Sequence, residues 1–537
     1  MEVIFGTFAN DQLKLIQHRA AGRGIQHHHT IAPIDPLPGD PVTLCAWVGV
    51  DTEVDYLMCY YTTDGLEPVG QFGESDGAQI APFRPIAAEW DNLLWGYRMR
   101  WEVQLPGQVD RTLVRYRIGG WREGGEELFA DFPDVTTIGE NAAVAYFKGT
   151  DPATLPDPPP RHAGGTVFTY RVDTMSAPAW MRDAVIYHLY VDRFYPGDGK
   201  EWIQTADVHH LMGGTLDGAR QKLGYLQDLG ITCIWLSPTW ACTSYHGYDI
   251  TDFCSTAEHL GGDAALHRFI DAAHARGMRV LLDLPCNHMS DQAPLFQEAR
   301  DNPASTHRDW FTFDDSPTGY RAFFNLPSMP QINLQHQGAR GWMINVARYW
   351  LREFDADGFR LDYALGPSTD FWTYFTASCK DEKLDTVYLG EVIDSPGVQR
   401  AYIGRLDGCL DFFANEGLRK TFGWKTMTQA EFDRVMTRNR AYFPPGFVLP
   451  AFLDNHDMNR FLHIAGGDKE ALRQAFGALM RLPNVPIVYY GTEVGVSHAV
   501  SAQVGGLDVS REAMLWGADQ DAALLADFAG MIAGRRA

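Results

Sequence analysis

The chain has 537 residues, with 45 Lys+Arg against 68 Asp+Glu and a formal net charge of −23. At 45% hydrophobic and 21% charged residues it falls among ordinary globular proteins, which excludes a disordered or collagen-like chain. Its length allows three to four domains of about 150 residues, or fewer if one is an α/β barrel of about 250, and its acidity disfavours nucleic acid or an anionic membrane, since phosphate needs a basic face.

The opening stretch, MEVIFGTFANDQLKLIQ, lacks a basic segment followed by an apolar one, so no signal peptide is expected. No apolar run reaches the roughly 20 residues that cross a bilayer. Cys45, Cys59, Cys233, Cys242, Cys254, Cys286, Cys379 and Cys409 are scattered without a CxxC pair. That pattern predicts buried free thiols and a reducing, cytoplasmic setting rather than a disulfide framework.

Residues 1–150 carry short β-like runs at 42–50, 55–63, 97–105 and 112–120, punctuated by Gly, Pro and Asp. This predicts an N-terminal antiparallel β-sandwich. A contiguous triplet, His27, His28 and His29, is read as loop or strand residues rather than a metal site. Residues 151–165 hold five prolines and open a semi-rigid linker, placed over 151–178.

From residue 179 the rhythm changes. Apolar runs at 184–190, 231–237, 278–285, 358–362, 386–392, 408–413, 447–454 and 485–491 read as eight strands. Between them lie segments of helical period. In 216–230, Leu216, Ala219, Leu223, Leu226 and Leu229 share one face and Gly230 ends it, and 263–277 ends likewise at Gly277. Met343, Val346, Ala347, Trp350, Leu351 and Phe354 form a third such stripe. Repeated β-then-α units predict an α/β fold, a (β/α)8 TIM barrel over 179–537. Residues 289–338, after the third strand, make an excursion too long for a turn, which marks function.

Barrel active sites gather at the C-terminal strand ends. Those ends offer Asp283, Asn287 and His288 after strand three, Arg360 and Asp362 at strand four, Glu391 at strand five, and His456 and Asp457 at strand seven. A single strand-end Asp could cap the next helix, but this set is a site. Asp362 lies two residues after Arg360 and so on the same side of its strand. The guanidinium is expected to lower its pKa and keep it ionised as a nucleophile. Glu391, after apolar VYLG, is expected to stay protonated as general acid/base. Paired carboxyl groups of this kind suit retaining glycoside hydrolysis, and Asp457 is suited to gripping sugar hydroxyls in the transition state.

These residues carry a resemblance. DLPCNH (283–288), GFRLD (358–362), GEVI (390–393) and FLDNHD (452–457) resemble, in order, the four motifs of the α-amylase family of glycoside hydrolases, family 13. The resemblance implies Asp362 as nucleophile, Glu391 as acid/base and Asp457 as third essential carboxylate. It implies that His288, Arg360 and His456 hold the −1 sugar, that Tyr248 of HGYDITDF (246–253) stacks on it, and that Arg460 lies near that subsite. MPQIN (329–333) resembles a motif of the neopullulanase, maltogenic amylase and cyclomaltodextrinase group. In that group an N-terminal β-sandwich supports a homodimer, so Trp47, Trp90, Trp95 and Trp101 are expected in core or interface.

YALG after Asp362 departs from the Lys-His that many α-amylases place there. The calcium-loop pattern is only partly matched, with Asp198 as a possible ligand; no cofactor is otherwise required. The C-terminal β-domain usual in the family is expected to be absent. The expected activity is retaining hydrolysis of α-glucans: cyclodextrins, maltooligosaccharides, pullulan or starch. The alternatives are a glucanotransferase or disaccharide isomerase using the same covalent intermediate, and, more remotely, a non-catalytic sugar-binding protein. Tyr363 to Gly366 are where acceptor choice would be read.

Overall fold

A computed structural model describes residues 15, 18–19, 21–130, 165–205 and 207–536. Its centre is a barrel of eight parallel strands: β1 (Ile186–Leu189), β2 (Cys233–Leu236), β3 (Arg279–Leu284), β4 (Gly358–Leu361), β5 (Val387–Gly390), β6 (Gly408–Cys409), β7 (Ala451–Phe452) and β8 (Pro486–Tyr489). Hydrogen bonding orders them β6-β5-β4-β3-β2-β1-β8-β7. The circle closes where Gly408 of β6 pairs in parallel with Val448, just ahead of β7. Each of these strands falls within one of the eight apolar runs.

Two layers of packing hold the barrel. Its inside is filled by Ile186, Cys233, Trp235, Leu281, Val387, Leu389, Phe452 and Ile487. The outer layer, between strands and helices, includes Leu223, Leu226, Phe269, Met343, Trp350 and Phe375. Period-two alternation therefore sets which side chains enter the mouth. Counting on from the inward Leu281 gives Asp283, and from Leu389 gives Glu391. The predicted helices occupy Gln337–Glu353 and Gly262–His274, but 216–230 is two pieces, Leu216–Gln221 and Leu223–Leu229, broken at Lys222. The excursion holds one α-helix, Pro294–Asp301, with proline at its start, and packs on its own aromatics: Phe296 lies 4.9 Å from Phe311 and 4.8 Å from Tyr320.

Ahead of the barrel stand two five-stranded antiparallel sheets. One orders Ile25–Gln26, Val42–Val48, Gly96–Leu105 and Arg84–Asp91, with Ile31–Ala32 against Val42–Val48. The other orders Phe168–Val172, Thr112–Trp121, Tyr56–Thr62 and Gln79–Pro82, with Leu128–Phe129 against Thr112–Trp121. Leu44, Val48, Trp101, Leu57, Val114, Tyr116 and Phe168 share one core across both. Residues 131–150 and the proline-rich 151–164 lie outside the described residues. The linker as read is too long, because Phe168–Val172 within it is a strand paired with Thr112–Trp121. Its aromatic and β-branched residues, all buried, favour a sheet over a spacer.

Candidate active site

Arg360, fully buried, is the hub of the barrel mouth. Its Nη1 donates to both oxygens of Asp283 (2.8 and 3.0 Å) and to Asp362 Oδ1 (2.7 Å). Its Nη2 pairs with Glu391 Oε1. One cation thus faces three carboxylates from β3, β4 and β5. Trp235 Nε1 and the Tyr248 hydroxyl also donate to Asp283 Oδ2, at 3.0 and 3.1 Å. On the far side, Tyr248 Oη lies 2.6 Å from His456 Nε2, which sits 3.0 Å from Asp457 Oδ2. The Tyr248 and His456 rings are nearly coplanar in orientation, 4° apart. Arg511 completes the wall: its Nη2 donates to Asp457 Oδ1 at 2.9 Å and its Nε to the His456 carbonyl at 2.9 Å.

His288 lies beside this cluster, its ring 4.6 Å from Phe323 and stacked at 21°. The MPQIN segment holds it there: Ile332 N donates to Asn287 O at 2.9 Å, Met289 N to Pro330 O at 3.1 Å, and His288 bridges Gln331. Its Nε2 is buried without a protein partner, a nitrogen left for a ligand to satisfy.

Burial and charge sort the acids. Burial pushes Glu391 well above the ordinary carboxylate range, and Asp362 and Asp457 nearby add to it, against the pull of Arg360. Burial likewise raises Asp283, to about 7, although Arg360 opposes it. For Asp457 burial also pushes up, but the His456 and Arg511 contacts outweigh it and hold this acid below the usual range. The expectation that Arg360 would depress Asp362 needs correcting: burial, reinforced by Asp457, exceeds the guanidinium's pull and the net direction is up. Burial lowers His288 to about 4 and also lowers His456. Both imidazoles are therefore neutral near pH 7 and act as hydrogen-bonding groups.

Asp362, Glu391, Asp457, Arg360, Tyr248, His288 and His456 lie together at the barrel mouth. Arg460 does not join them. Its Nε donates to Ser510 O at 2.8 Å, its Nη1 to Tyr490 O at 2.5 Å, and it stacks 4.0 Å from the Tyr489 ring. The cation that meets Asp457 is Arg511, which lies 54 residues on in a loop with no local pattern to announce it. Asp198 also stands apart. Its carboxylate accepts from Tyr195 Oη at 2.8 Å, and among the described residues no three His, Cys, Asp or Glu side chains form a donor group. A lone carboxylate does not fit a calcium ion, which takes 6–8 oxygens. The histidine triplet is structural: His27 Nε2 lies 2.6 Å from Tyr116 Oη and His29 meets Thr369.

The barrel mouth thus gathers four acids, with one guanidinium from β4 and one from the loop that carries Arg511. Residues 188–527 match the catalytic domain of alpha amylase, and the chain belongs to the α-amylase family. It is 37% identical over 360 residues to Alpha-amylase 2 of Dictyoglomus thermophilum, covering 66% of this chain and 63% of that protein. It is 32% identical over 369 residues to the cyclomaltodextrinase of Geobacillus thermopakistaniensis, covering 65% and 61%. The chain thus spans less than two thirds of the length of these relatives. Among solved structures, the cyclic alpha-maltosyl-(1→6)-maltose hydrolase of Arthrobacter globiformis superposes with a TM-score of 0.62 at 26% identity, over 67% of this chain and 84% of that one.

Proposed function

We propose that the chain is a retaining glycoside hydrolase that cleaves α-glucosidic bonds of α-glucans: cyclodextrins, maltooligosaccharides, pullulan or starch. The observation that carries this is the single Arg360 guanidinium bridging Asp362 and Glu391. Two carboxyl groups that converge on one cation suit the close pair that retaining chemistry uses. Asp362 attacks the anomeric carbon, and Glu391, the acid that burial raises far above the ordinary range, gives its proton to the departing oxygen. Asp457, held ionised by His456 and Arg511, accepts sugar hydroxyls as the ring flattens. Tyr248 offers a ring face, and His288 Nε2 an unpaired nitrogen, to the same sugar.

The two N-terminal sheets with their common core support a β-sandwich domain ahead of the catalytic one. Trp95, Tyr97 and Trp90 of that domain are 78%, 65% and 45% exposed and supply an apolar face for a homodimer. All eight cysteines are free, which suits a cytoplasmic setting. Among the described residues no helix is long and apolar enough to cross a membrane.

The test is proton NMR of products from β-cyclodextrin, pullulan and soluble starch, with Asp362→Asn as control. Fast opening of cyclodextrin with the α-anomer formed first supports the reading and the cyclomaltodextrinase-like substrate range. An initial β-anomer, or an undiminished rate in Asp362→Asn, overturns it. Products longer than the substrate favour the glucanotransferase reading, for which the aromatic cluster around Tyr363 is the structural motive.

A further inference from the structure

His188 of β1 and Trp235 of β2 lie inside the barrel below its mouth. They are partners in register across their parallel strands. Each follows an inward-facing residue by two, Ile186 and Cys233, so both side chains enter the barrel, where neither is more than 2% exposed. The imidazole and the indole lie face to face, 3.6 Å apart and 4° from parallel. His188 Nε2 lies 3.0 Å from Ser237 Oγ, which fixes the plane of the ring. Tyr489 of β8, at 4.9 Å, and His456, at 5.1 Å, close off its other sides. Burial, with His456, Arg360, Arg460 and Arg511 nearby, drives the imidazole well below its ordinary pKa, so it is neutral and acts as a wedge rather than a charge.

The indole so held touches both halves of an ion pair. Its Nε1 donates to Asp283 Oδ2 at 3.0 Å, and the Arg360 guanidinium lies over its ring at 5.1 Å. Asp283 and Asp362 compete for that guanidinium, because Nη1 alone donates to both. The donors that Trp235 and Tyr248 place on Asp283 Oδ2 satisfy part of its charge and leave Nη1 divided. Without the indole N–H, Asp283 draws the guanidinium more strongly, and Asp362 loses part of the cation that favours its ionised form. The other groups that face Asp362 are the acids Asp457 and Glu391 and the neutral His456, none of which replaces the lost cation.

We propose that His188 and Trp235 are positioning residues for the catalytic carboxylates: the imidazole, pinned by Ser237, holds the indole so that its N–H shares the charge of Asp283 and keeps Arg360 on Asp362. The inference rests on the retaining reading above, in which Asp362 must be ionised to attack. Buried as they are, neither ring reaches a substrate. Their effect passes through Asp283 and Arg360, and it sets the pH at which Asp362 loses its proton.

The experiment follows kcat/KM for maltotriose against pH in the wild-type chain and three variants. Trp235→Phe keeps an aromatic ring and removes the N–H, His188→Leu removes the stacking partner, and the third carries both changes. The acid limb is expected to move up by about 0.5–1 pH unit in Trp235→Phe, the size of one hydrogen bond, and in the same direction by less in His188→Leu. The double variant should shift no further than Trp235→Phe alone, because the imidazole acts through an N–H already lost. A barrel merely weakened by these changes would lose rate at every pH with the limb in place. An unmoved limb in Trp235→Phe, or shifts that add in the double variant, overturns the proposal. Should these variants not fold, Ser237→Ala, which frees the imidazole alone, is read in the same way: an upward limb supports the proposal and an unmoved one overturns it. Failure of the retaining reading shows separately, as wild-type rates retained in Asp362→Asn.

Discussion

Arg360 balances three carboxylates with one positive charge, and that imbalance assigns the protons. Burial raises Asp283 to about 7 and pushes Glu391 well above the ordinary carboxylate range, which favours a proton on Glu391. The proposed mechanism needs Asp362 ionised and Glu391 protonated, so kcat/KM is expected to fall on the acid side as Asp362 gains a proton and on the alkaline side as Glu391 loses one. Because Glu391 is displaced upward, the alkaline limb is expected above the ordinary carboxylate range, and in Glu391→Gln, assayed on an α-glycosyl fluoride that needs no acid, that limb should vanish. A limb that survives this substitution would assign it to another group. The two arginines give a contrast. Arg511→Met removes a charge-assisted bond to Asp457, worth about 1.5–3 kcal/mol, and is expected to lower kcat/KM by roughly 10- to 100-fold with a small change in melting temperature. Arg460→Met, which strips backbone carbonyls of their donor, should instead lower the melting temperature. Equal kinetic defects in the two variants would contradict this division.

At the scale of elements, the closure between β6 and Val448 is a close approach of two backbones. A Cβ on Gly408 would sit 2.0 Å from the Val448 carbonyl oxygen, so Gly408→Ala must displace backbone, and a loss of about 1–3 kcal/mol is expected. Urea unfolding of the two chains measures it, and equal stability would show that the closure is pliable. In the N-terminal sheets, burial drops His27 from 6.5 to about 3. Between those values the unfolded chain binds the proton that the folded one refuses, so stability is full above pH 6.5 and is lost as pH falls, by up to about 1.4 kcal/mol per pH unit from this residue. His27→Gln should be weaker at pH 7 yet lose less between pH 7 and 5. The barrel strands were legible because each is a short, fully buried run between helices of clear period, and inward parity carried that reading through to Asp283, Arg360, Asp362 and Glu391. Arg84–Asp91 was not, since most of its side chains are exposed and its register shifts between Pro85 and Ala87, which erases the alternation. Arg511 was hidden for another reason: its partner is far away in the chain, and nothing local distinguishes it from Arg460, which follows Asp457 by three residues and is spent on carbonyls.

Over the whole molecule, the N-terminal sheets are joined to the barrel by buried polar contacts. Thr169 and Arg340 both bond Asp370, the latter at 2.9 Å, and His29 meets Thr369. Leaving Asp370 uncompensated in Arg340→Ala is expected to cost about 3–5 kcal/mol, as for other broken buried pairs. The exposed face of Trp90, Trp95 and Tyr97 predicts a dimer in light scattering, and Trp95→Ser with Tyr97→Ser should shift it toward monomer; a wild-type chain that is monomeric at micromolar concentration would remove that face from the account. All of this serves one chemical claim, that a sugar is transferred to Asp362 before it reaches water. The direct measurement is mass spectrometry of the chain incubated with 5-fluoro-α-glucosyl fluoride and digested to peptides. The account predicts one added hexosyl mass on the peptide that carries Asp362, absent from Asp362→Asn. Label on another carboxylate, or steady turnover with no labelled peptide, would contradict it.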